Sequence, residues 1–538
     1  MKNVKILDCT LRDGGRVIDC KFENRTITNM AKDLTRAGID IVEMGFLRST
    51  ELVKYVENST FFTEVSQIEP FIPDERKGTA FVAFVDFDMY DFSCLKECDE
   101  KSITGIRVGF TKKQFDTQRE EIRQALLKVK EQGYTLFVQG VNSLAYSDRE
   151  LLDLIDMMNE IEPYSFGIVD TYGAMYLDDM VHFYNLVDYN LNPDISIDIH
   201  SHNNFQSSFA FAQEIIRLAD GKRKVILDAT LNGMGKCAGN LNTELIADYL
   251  TRKKGSDYDL DKILDAIDKY LEPLKRRYTW GYSIPAFMAG IYKAHPNNII
   301  YLTEKYRLNS KDIKYIISGI EEDTRQRYDY ENIQRIYRDY NENMVDDEKV
   351  LRYLQKEMKG TSVLVLVPGK SVETCSDRIA DYIEAEHPIV ISVNFIPQRF
   401  ACDYHFYANT IHWERVYDDV LHEKCILTSN IHVNVDNTNL VDYSSLIMED
   451  SSLYDNSTIM LLNLLKQVEV SKICIAGFDG LKEYEENYID VSFPDTHRGV
   501  TIAETNKEVG KLYQQFVARN AGKIEVNMLT PSVYEKKK

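Results

Sequence analysis

Positive charge is scarce in this chain: 64 lysines and arginines stand against 85 aspartates and glutamates in 538 residues, a net charge of −21. A surface that acidic repels polyanions, which argues against nucleic acid or an anionic membrane as the main partner. Long hydrophobic runs are missing as well. Although 44% of residues are hydrophobic, no stretch approaches the roughly 20 apolar residues of a membrane helix. Met1–Leu7 moves straight into a strand pattern, with no signal-peptide character. The nine cysteines are scattered. Cys94 and Cys98 lie close together, but no second pair completes a zinc-finger spacing, so reduced thiols and a cytoplasmic location are expected. No phosphate-binding glycine turn follows the first strand, which disfavours an open doubly wound sheet for the N-terminal half.

What is present is a regular alternation. Val4–Asp8, Ile39–Gly45, Ala80–Val85, Gly105–Val108, Thr135–Gln139, Phe166–Val169, Ile195–His200 and Lys224–Ala229 read as strands, rich in β-branched and apolar residues. Helical segments such as Asn24–Ala37, Thr117–Glu131, Asp148–Glu160 and Phe209–Leu218 separate most of them. Eight such repeats in the span 1–255 are the count and size of a (β/α)8 TIM barrel. The length as a whole exceeds one core. Residues 256–345 are predicted to form a helical domain, 346–358 a linker helix, and 359–538 a separate Rossmann-like α/β domain.

In a barrel, chemistry gathers where strands end. The stretch Asp198-Ile199-His200-Ser201-His202-Asn203 closes the seventh strand, and residues two apart share a face, so His200 and His202 aim at one point, as a metal requires. Arg12 and Asp13 follow the first strand and Glu43 lies on the second. Arg107, Gln139, Asn142, Asp170, Thr171 and Tyr172 lie at intermediate strand ends. A glycine-rich loop, Gly233-Met234-Gly235-Lys236-Cys237-Ala238-Gly239-Asn240, follows the eighth. Gly233 and Gly235 would let backbone approach a ligand. One carboxylate and two imidazoles from different strands can close a divalent site and leave positions open for substrate.

Leu7-Asp8-Cys9-Thr10-Leu11-Arg12-Asp13-Gly14, His200-Ser201-His202-Asn203 and the glycine loop together resemble the DRE-TIM metallolyase superfamily, which contains 4-hydroxy-2-oxovalerate aldolase, 3-hydroxy-3-methylglutaryl-CoA lyase and isopropylmalate synthase. The resemblance, nearest in motif to the aldolase, implies a metal-dependent carbon–carbon lyase. Such an enzyme acts on a 2-oxo acid through a metal-stabilised enolate, releasing pyruvate and an aldehyde or running in reverse. It implies a divalent cation (Mn2+ or Mg2+, with Zn2+ the alternative) on Asp13, His200 and His202, with Asn240 as ligand or neighbour. Arg12 and Glu43 are carried over as catalytic residues. Arg16, Arg107, Thr171, Gly233 and Gly235 are candidates for binding substrate. The aldolases carry a histidine two residues after Arg-Asp-Gly and the synthases carry Glu-Gln directly after it; Gly15-Arg16 stands here. The substrate is therefore expected to differ, and Arg16 to face an anionic group. A Claisen condensation is the alternative within the superfamily, and a catalytically dead scaffold the alternative outside it.

In the helical segment, Tyr282-Ser283 resembles the aldolases' proton-transfer tyrosine, so Tyr282 is carried over as catalytic. His295, before a proline, reads as a structural or capping residue, and Cys237 as a small filler. The aldolases' helical domain also meets a partner dehydrogenase, a partner for which these residues offer no support; a homo-oligomer is expected. Asn341-Glu342-Asn343 reads as the linker. Ser362–Val367, Pro388–Asn394, Tyr404–Tyr407, Cys425–Leu427 and the run from Lys472 read as strands of the C-terminal domain. Pro368-Gly369-Lys370-Ser371 lacks the first glycine of a P-loop but could seat a phosphate at a helix start. This segment resembles Rossmann-like domains of bacterial surface-glycan enzymes, with Lys370 in place of a proline. That implies a bifunctional protein with a nucleotide-sugar site as a further alternative, against a purely structural or oligomerising domain.

Overall fold

The computed structural model describes residues 3–304, 310–326, 328–341, 345–431, 438–448, 456–482, 487–489 and 501–535. Glu342 and Asn343 of the linker candidate lie outside this set. Contacts divide the chain into two compact units: Met1–Ile299 with Ile320–Tyr328, and Ile300–Gly319 with Asp329–Lys538. The division falls inside the predicted helical segment, which contributes to both.

The first unit is the TIM barrel. Its strands are β1 (Val4–Asp8), β2 (Ile41–Leu47), β3 (Ala80–Asp86), β4 (Gly105–Thr111), β5 (Thr135–Val141), β6 (Ser165–Asp170), β7 (Ser196–Ser201) and β8 (Val225–Ala229). All neighbours are parallel, and β1 closes the ring by pairing with both β2 and β8. A two-residue strand, Phe61–Phe62, extends β2 on the outside. The strands are buried almost throughout, because helices cover their outer faces and side chains fill the lumen. Helix Asn24–Arg36 shows how the cover is made. Ile27, Met30, Ala31 and Leu34 fall on one stripe and are buried. Ser147 and Glu150 form a capping box that starts helix Asp148–Ile161.

The lumen is layered. Leu7, Ile41, Val82, Phe137 and Ile226 pack together as an apolar plug at the amino ends of the strands. Two residues beyond Ile41, Phe137 and Ile226 the inward positions turn polar, as Glu43, Gln139 and Asp228, and Arg107 and Asp198 join them in a buried polar layer. Gly167 makes room for this layer. A Cβ there would lie 2.2 Å from Gln139 Oε1, and Gln139 Nε2 is the group that donates to Asp198.

The second unit holds a seven-stranded, all-parallel sheet: β9 (Ser362–Leu366), β10 (Ile389–Val393), β11 (Tyr404–Tyr407), β12 (Cys425–Thr428), β13 (Asn439–Val441), β14 (Lys472–Ala476) and β15 (Glu525–Met528). Its order is β13-β12-β11-β10-β9-β14-β15. β13, β15 and helix Ile502–Arg519 were not legible in the pattern; β13 spans three residues and β15 is half exposed, so neither carries a clear apolar run. A cavity of about 920 Å³ lies among segments that follow β9, β10 and β11, including Pro368, residues 394–400 and His412. The phosphate expected after β9 has a competitor. Ser371 N–H and Oγ–H both donate to the carboxylate of Asp479, and the helix they open spans only Ser371–Thr374.

Gly167→Ala should destabilise the barrel by about 1–3 kcal/mol, the usual cost of overpacking a core. Urea unfolding would measure it. A loss under about 0.5 kcal/mol would show that Gln139 can yield, and that the polar layer is looser than described.

Candidate active site

Asp13 reaches the mouth of the barrel through a tight turn. The N–H groups of Arg12, Asp13 and Gly14 all point to Cys9 O, at 3.1, 2.8 and 3.2 Å. His200 is the penultimate residue of β7, and His202 follows as a bridge partner of Asn240. The glycine loop folds tightly on itself to deliver Asn240. Gly239 has φ +75°, and a Cβ on it would sit 1.9 Å from Gly233 O. Asn203 N–H donates to Gly239 O at 2.8 Å, locking this loop to the histidine segment.

The result is a cluster. Asp13, His200 and His202 each place a ligating atom so that all three lie within 4.8 Å of one another. Asn240 Nδ2 donates to Asp13 Oδ2 at 2.8 Å. Its Oδ1 is buried without a hydrogen-bond partner among the described residues. His200 Nδ1 bonds Asp228 Oδ2 at 2.9 Å, which leaves Nε2 as its ligating nitrogen, the carboxylate–histidine arrangement typical of metal sites. Burial pushes His202 down to about 4, so its imidazole is neutral. Burial raises Asp13, but Arg12 and the two histidines more than reverse this and hold it well below the usual carboxylate range. Asp13 and His202 are thus in their ligating forms.

Behind the cluster runs a buried ion network. Arg12 donates to Asp13 Oδ1 at 2.8 Å and, through Nε, to Glu43 Oε2 at 2.6 Å. Glu43 Oε1 accepts from Arg107 at 3.0 Å, and Arg107 NH2 reaches Asp198 at 3.0 Å and Asp228 at 2.6 Å. Burial and the nearby Asp228 push Asp198 strongly up, so this carboxyl keeps its proton. Burial opposes ionisation of Asp228, but Arg107 and His200 hold it low. Arg12 and Arg107 are thus shared among the carboxyls of Asp13, Glu43, Asp198 and Asp228, and Arg16 adds a longer contact to Asp13 at 3.5 Å. A divalent cation would be met by the Asp13 carboxylate and two imidazoles and would satisfy Asn240 Oδ1, so the residues present fit one. A second triad, Cys9–His200–Asp228, has ligand atoms as close. It is the poorer site, because Cys9 hydrogen-bonds Ala229 O and burial raises its thiol far above the usual range.

A cavity of about 200 Å³ opens over the cluster. Of the sequence candidates, Arg12, Asp13, Arg16, Thr171, His200 and His202 line it. Thr171 Oγ1 accepts from Asn142 N–H at 2.8 Å. Glu43 and Arg107 do not reach it. Both are fully buried within the ion network, so Arg107 is placed to organise carboxylates rather than to touch substrate, and Glu43 to hold Arg12. Gly233 and Gly235 shape the loop without lining the cavity. Tyr282 is 56% exposed and lies off the cavity wall. His295, expected to be structural or capping, caps the start of helix Pro296–Glu304 and also lines the cavity. Its Nδ1 accepts from Asn297 N–H at 3.2 Å, its ring stacks on Tyr328 at 5.5 Å, and burial lowers it to about 4. Lys236, Cys237 and Asn204 also line it. Asp198 and Asp228 were findable in principle, since each lies two residues from another inward position on its strand. No local pattern pointed to His295 or Lys236.

Asp170 stands slightly apart. Its carboxylate accepts from Ala174 and Met175 N–H at 2.8 and 3.2 Å, yet burial raises it to about 7.

Comparison with known proteins gives the following similarities. A family model described as HMGL-like matches residues 3–269. A 4-hydroxy-2-oxovalerate aldolase from Pelotomaculum thermopropionicum is 24% identical over 314 residues, 58% of this chain and 89% of its own length. A 2-isopropylmalate synthase from Geobacillus sp. is 25% identical over 254 residues, 45% of this chain and 47% of that one, so the chain spans about half the synthase. Among solved structures, the HMG-CoA lyase from Brucella melitensis is 14% identical with a TM-score of 0.41, covering 51% of this chain and 100% of its own.

Arg107→Met should cost about 3–5 kcal/mol in urea unfolding, because it strands buried carboxylates without their counter-ion. A loss below about 1 kcal/mol would show that the network is not carried by this guanidinium. A pH series on metal-free protein tests Asp170. Its folded value lies above the unfolded one, so its contribution to stability is full below about pH 4 and is lost as pH rises towards 7. The stability difference between wild type and Asp170→Asn should drift in favour of the variant across that window and level off above it. A flat difference would contradict the burial argument.

The barrel half of this chain, residues 3–269, belongs to the HMGL-like family.

Proposed function

We propose that the barrel is a divalent-metal-dependent carbon–carbon lyase of aldolase type. It would cleave a hydroxylated 2-oxo acid to pyruvate and an aldehyde, or join them in reverse. The observation that carries this reading is the convergence of Asp13, His200 and His202 beside the Arg12 guanidinium at the floor of one cavity. A bound divalent cation would act there as a Lewis acid towards negative charge developing on a keto oxygen.

The chain's own residues have separable tasks in this reading. Arg12 is held by Glu43 and Asp13 and braced over the Phe84 ring at 4.5 Å, so it offers a fixed positive charge to the substrate oxygens. Its charge is permanent: burial would lower its affinity for the proton, but Glu43 and Asp13 raise it further. Asp228 fixes the tautomer and orientation of His200. Asn297 N–H on His295 Nδ1 leaves Nε2 as the protonated nitrogen, a donor for the oxygen that gains charge as the bond breaks. Thr171 supplies a hydroxyl on the same wall.

An aldol reaction is favoured over a Claisen condensation by the extent of the match. It runs past the barrel and takes in 89% of the aldolase but 47% of the synthase.

The test is metal analysis of the purified protein, followed by a screen for pyruvate release from 4-hydroxy-2-oxo acids. One equivalent of divalent metal is expected. Asp13→Asn should lose at least about a hundredfold in kcat/KM, in line with removal of one metal ligand or one electrostatic stabiliser. No metal in the wild type, or equal metal content and turnover in Asp13→Asn, would sink the reading.

A further inference from the structure

Lys236 is an isolated cation. It lies half-buried in the loop after β8 and lines the cavity above the Asp13–His200–His202 cluster. Among the described residues its side chain makes no hydrogen bond and no ion pair, unlike those of Arg12, Arg48 and Arg107 nearby. The acidic side chains of the lining are already held. Asp13 is bound by Arg12 and Asn240, and Asp86 by Arg48. The neighbours of Lys236 on the wall add to its isolation. Arg16 lines the same cavity with its side chain 38% exposed. Its Nε stays 3.5 Å from an Asp13 oxygen that Arg12 holds at 2.8 Å, and its guanidinium rests on the Phe46 ring at 4.8 Å. Burial and then Arg16 lower the proton affinity of Lys236, against a smaller opposing pull from Asp13 and Asp19, and Lys236 and Arg16 in turn add to the effect of burial on His295. Lys236 and Arg16, beside a neutral His295, therefore form a cationic corner in which no carboxylate of the described residues forms an ion pair with the Lys236 ammonium.

Leaving an ammonium half-desolvated and unpaired costs free energy. A ligand that brings an oxyanion recovers that cost on binding, and a ligand that does not is disfavoured by comparison. The 2-oxo acid end of a substrate is already answered by Arg12 and the metal-ligand cluster. We infer that the substrate carries a second anionic group, a carboxylate or a phosphate, on the side away from its 2-oxo acid end, and that Lys236 with Arg16 receives it. This rests on the reading of the barrel as a 2-oxo acid lyase. The aldehyde product of cleavage would then keep the negative charge, and pyruvate would leave from the other end. Lys236 and Arg16 become the specificity-determining residues, and they occupy no position in the metal cluster itself.

The experiment uses the full chain loaded with Mn2+ and reads binding rather than turnover. Dissociation constants are measured for four probes: oxalate, which mimics the 2-oxo acid end alone; 2-oxobutyrate, with an uncharged tail; 2-oxoglutarate, with a carboxylate tail; and 3-phosphonopyruvate, with a phosphonate tail. One of the two anionic-tail probes should bind at least about tenfold more tightly than 2-oxobutyrate, the scale of one charge-assisted contact, and the better of them tells carboxylate from phosphate. Lys236→Met should erase most of that advantage while oxalate, 2-oxobutyrate and Mn2+ affinities change less than about twofold. Lys236→Arg, which keeps the charge, should retain part of it. The inference is overturned if neither charged tail improves binding to the wild type, or if Lys236→Met weakens oxalate as much as the charged-tail probe, which would place the lysine at the 2-oxo acid end. Failure of oxalate to bind the wild-type Mn2+ protein at all would instead bring down the lyase reading, and this inference with it.

Discussion

One guanidinium in the middle of the barrel, that of Arg107, holds the site together from beneath. It is fully buried and touches Glu43, Asp198 and Asp228. From it two branches rise to the same point. Through Glu43 it steadies Arg12, and through Arg12 it steadies Asp13. Through Asp228 it steadies the His200 imidazole. The carboxylate and one imidazole of the metal-ligand cluster, though far apart in sequence, are thus braced by one side chain that neither substrate nor metal would touch. A charge buried this deeply is tolerated because it is hydrogen-bonded to the carboxyls of Glu43, Asp198 and Asp228.

The same economy sets the electrostatic character of the cavity floor. The floor offers one carboxylate held ionised and two imidazoles within 4.8 Å of one another. That set favours a divalent cation without requiring any acidic residue beyond Asp13 in direct contact. The wall above it has the opposite sign. Arg16 and Lys236 face the cavity from the loop after β1 and the loop after β8, beside a neutral His295 from the segment before helix Pro296–Glu304. A site negative at its floor and positive at its wall selects a cation for one and an anion for the other. This polarity underlies both the metal assignment and the expected charge on the far end of the substrate.

Much of this was legible beforehand. The eight barrel strands were found at their places because each is a short β-branched run between amphipathic helices, a pattern that local side-chain chemistry writes directly. Arg12-Asp13 and His200-Ser201-His202 were legible because ligands on adjacent strand ends must recur at fixed spacing. Other positions take roles that local pattern does not encode. Arg107 and Glu43 belong to the ion network because their strand positions point into the lumen below the cavity, a matter of depth along the barrel axis. Tyr282 and His295 come from the same helical segment, yet the exposed one carried the familiar motif and the cavity-lining one did not. Where an appended helix sets its residues depends on long-range packing. The edge strands β13 and β15 of the second unit escaped notice because they are short and incompletely buried, with little apolar signal to read.

By itself, then, the sequence determined the barrel, its order of strands, and the identity of the side chains at three strand ends, since periodicity and residue type act over a few positions. Only the tertiary structure decided which of those side chains meet, which are buried beneath them as support, and that a lysine and a histidine from distant loops complete the wall. Those outcomes follow from the closure of the ring, which brings β1, β7 and β8 side by side and gives each inward residue its depth.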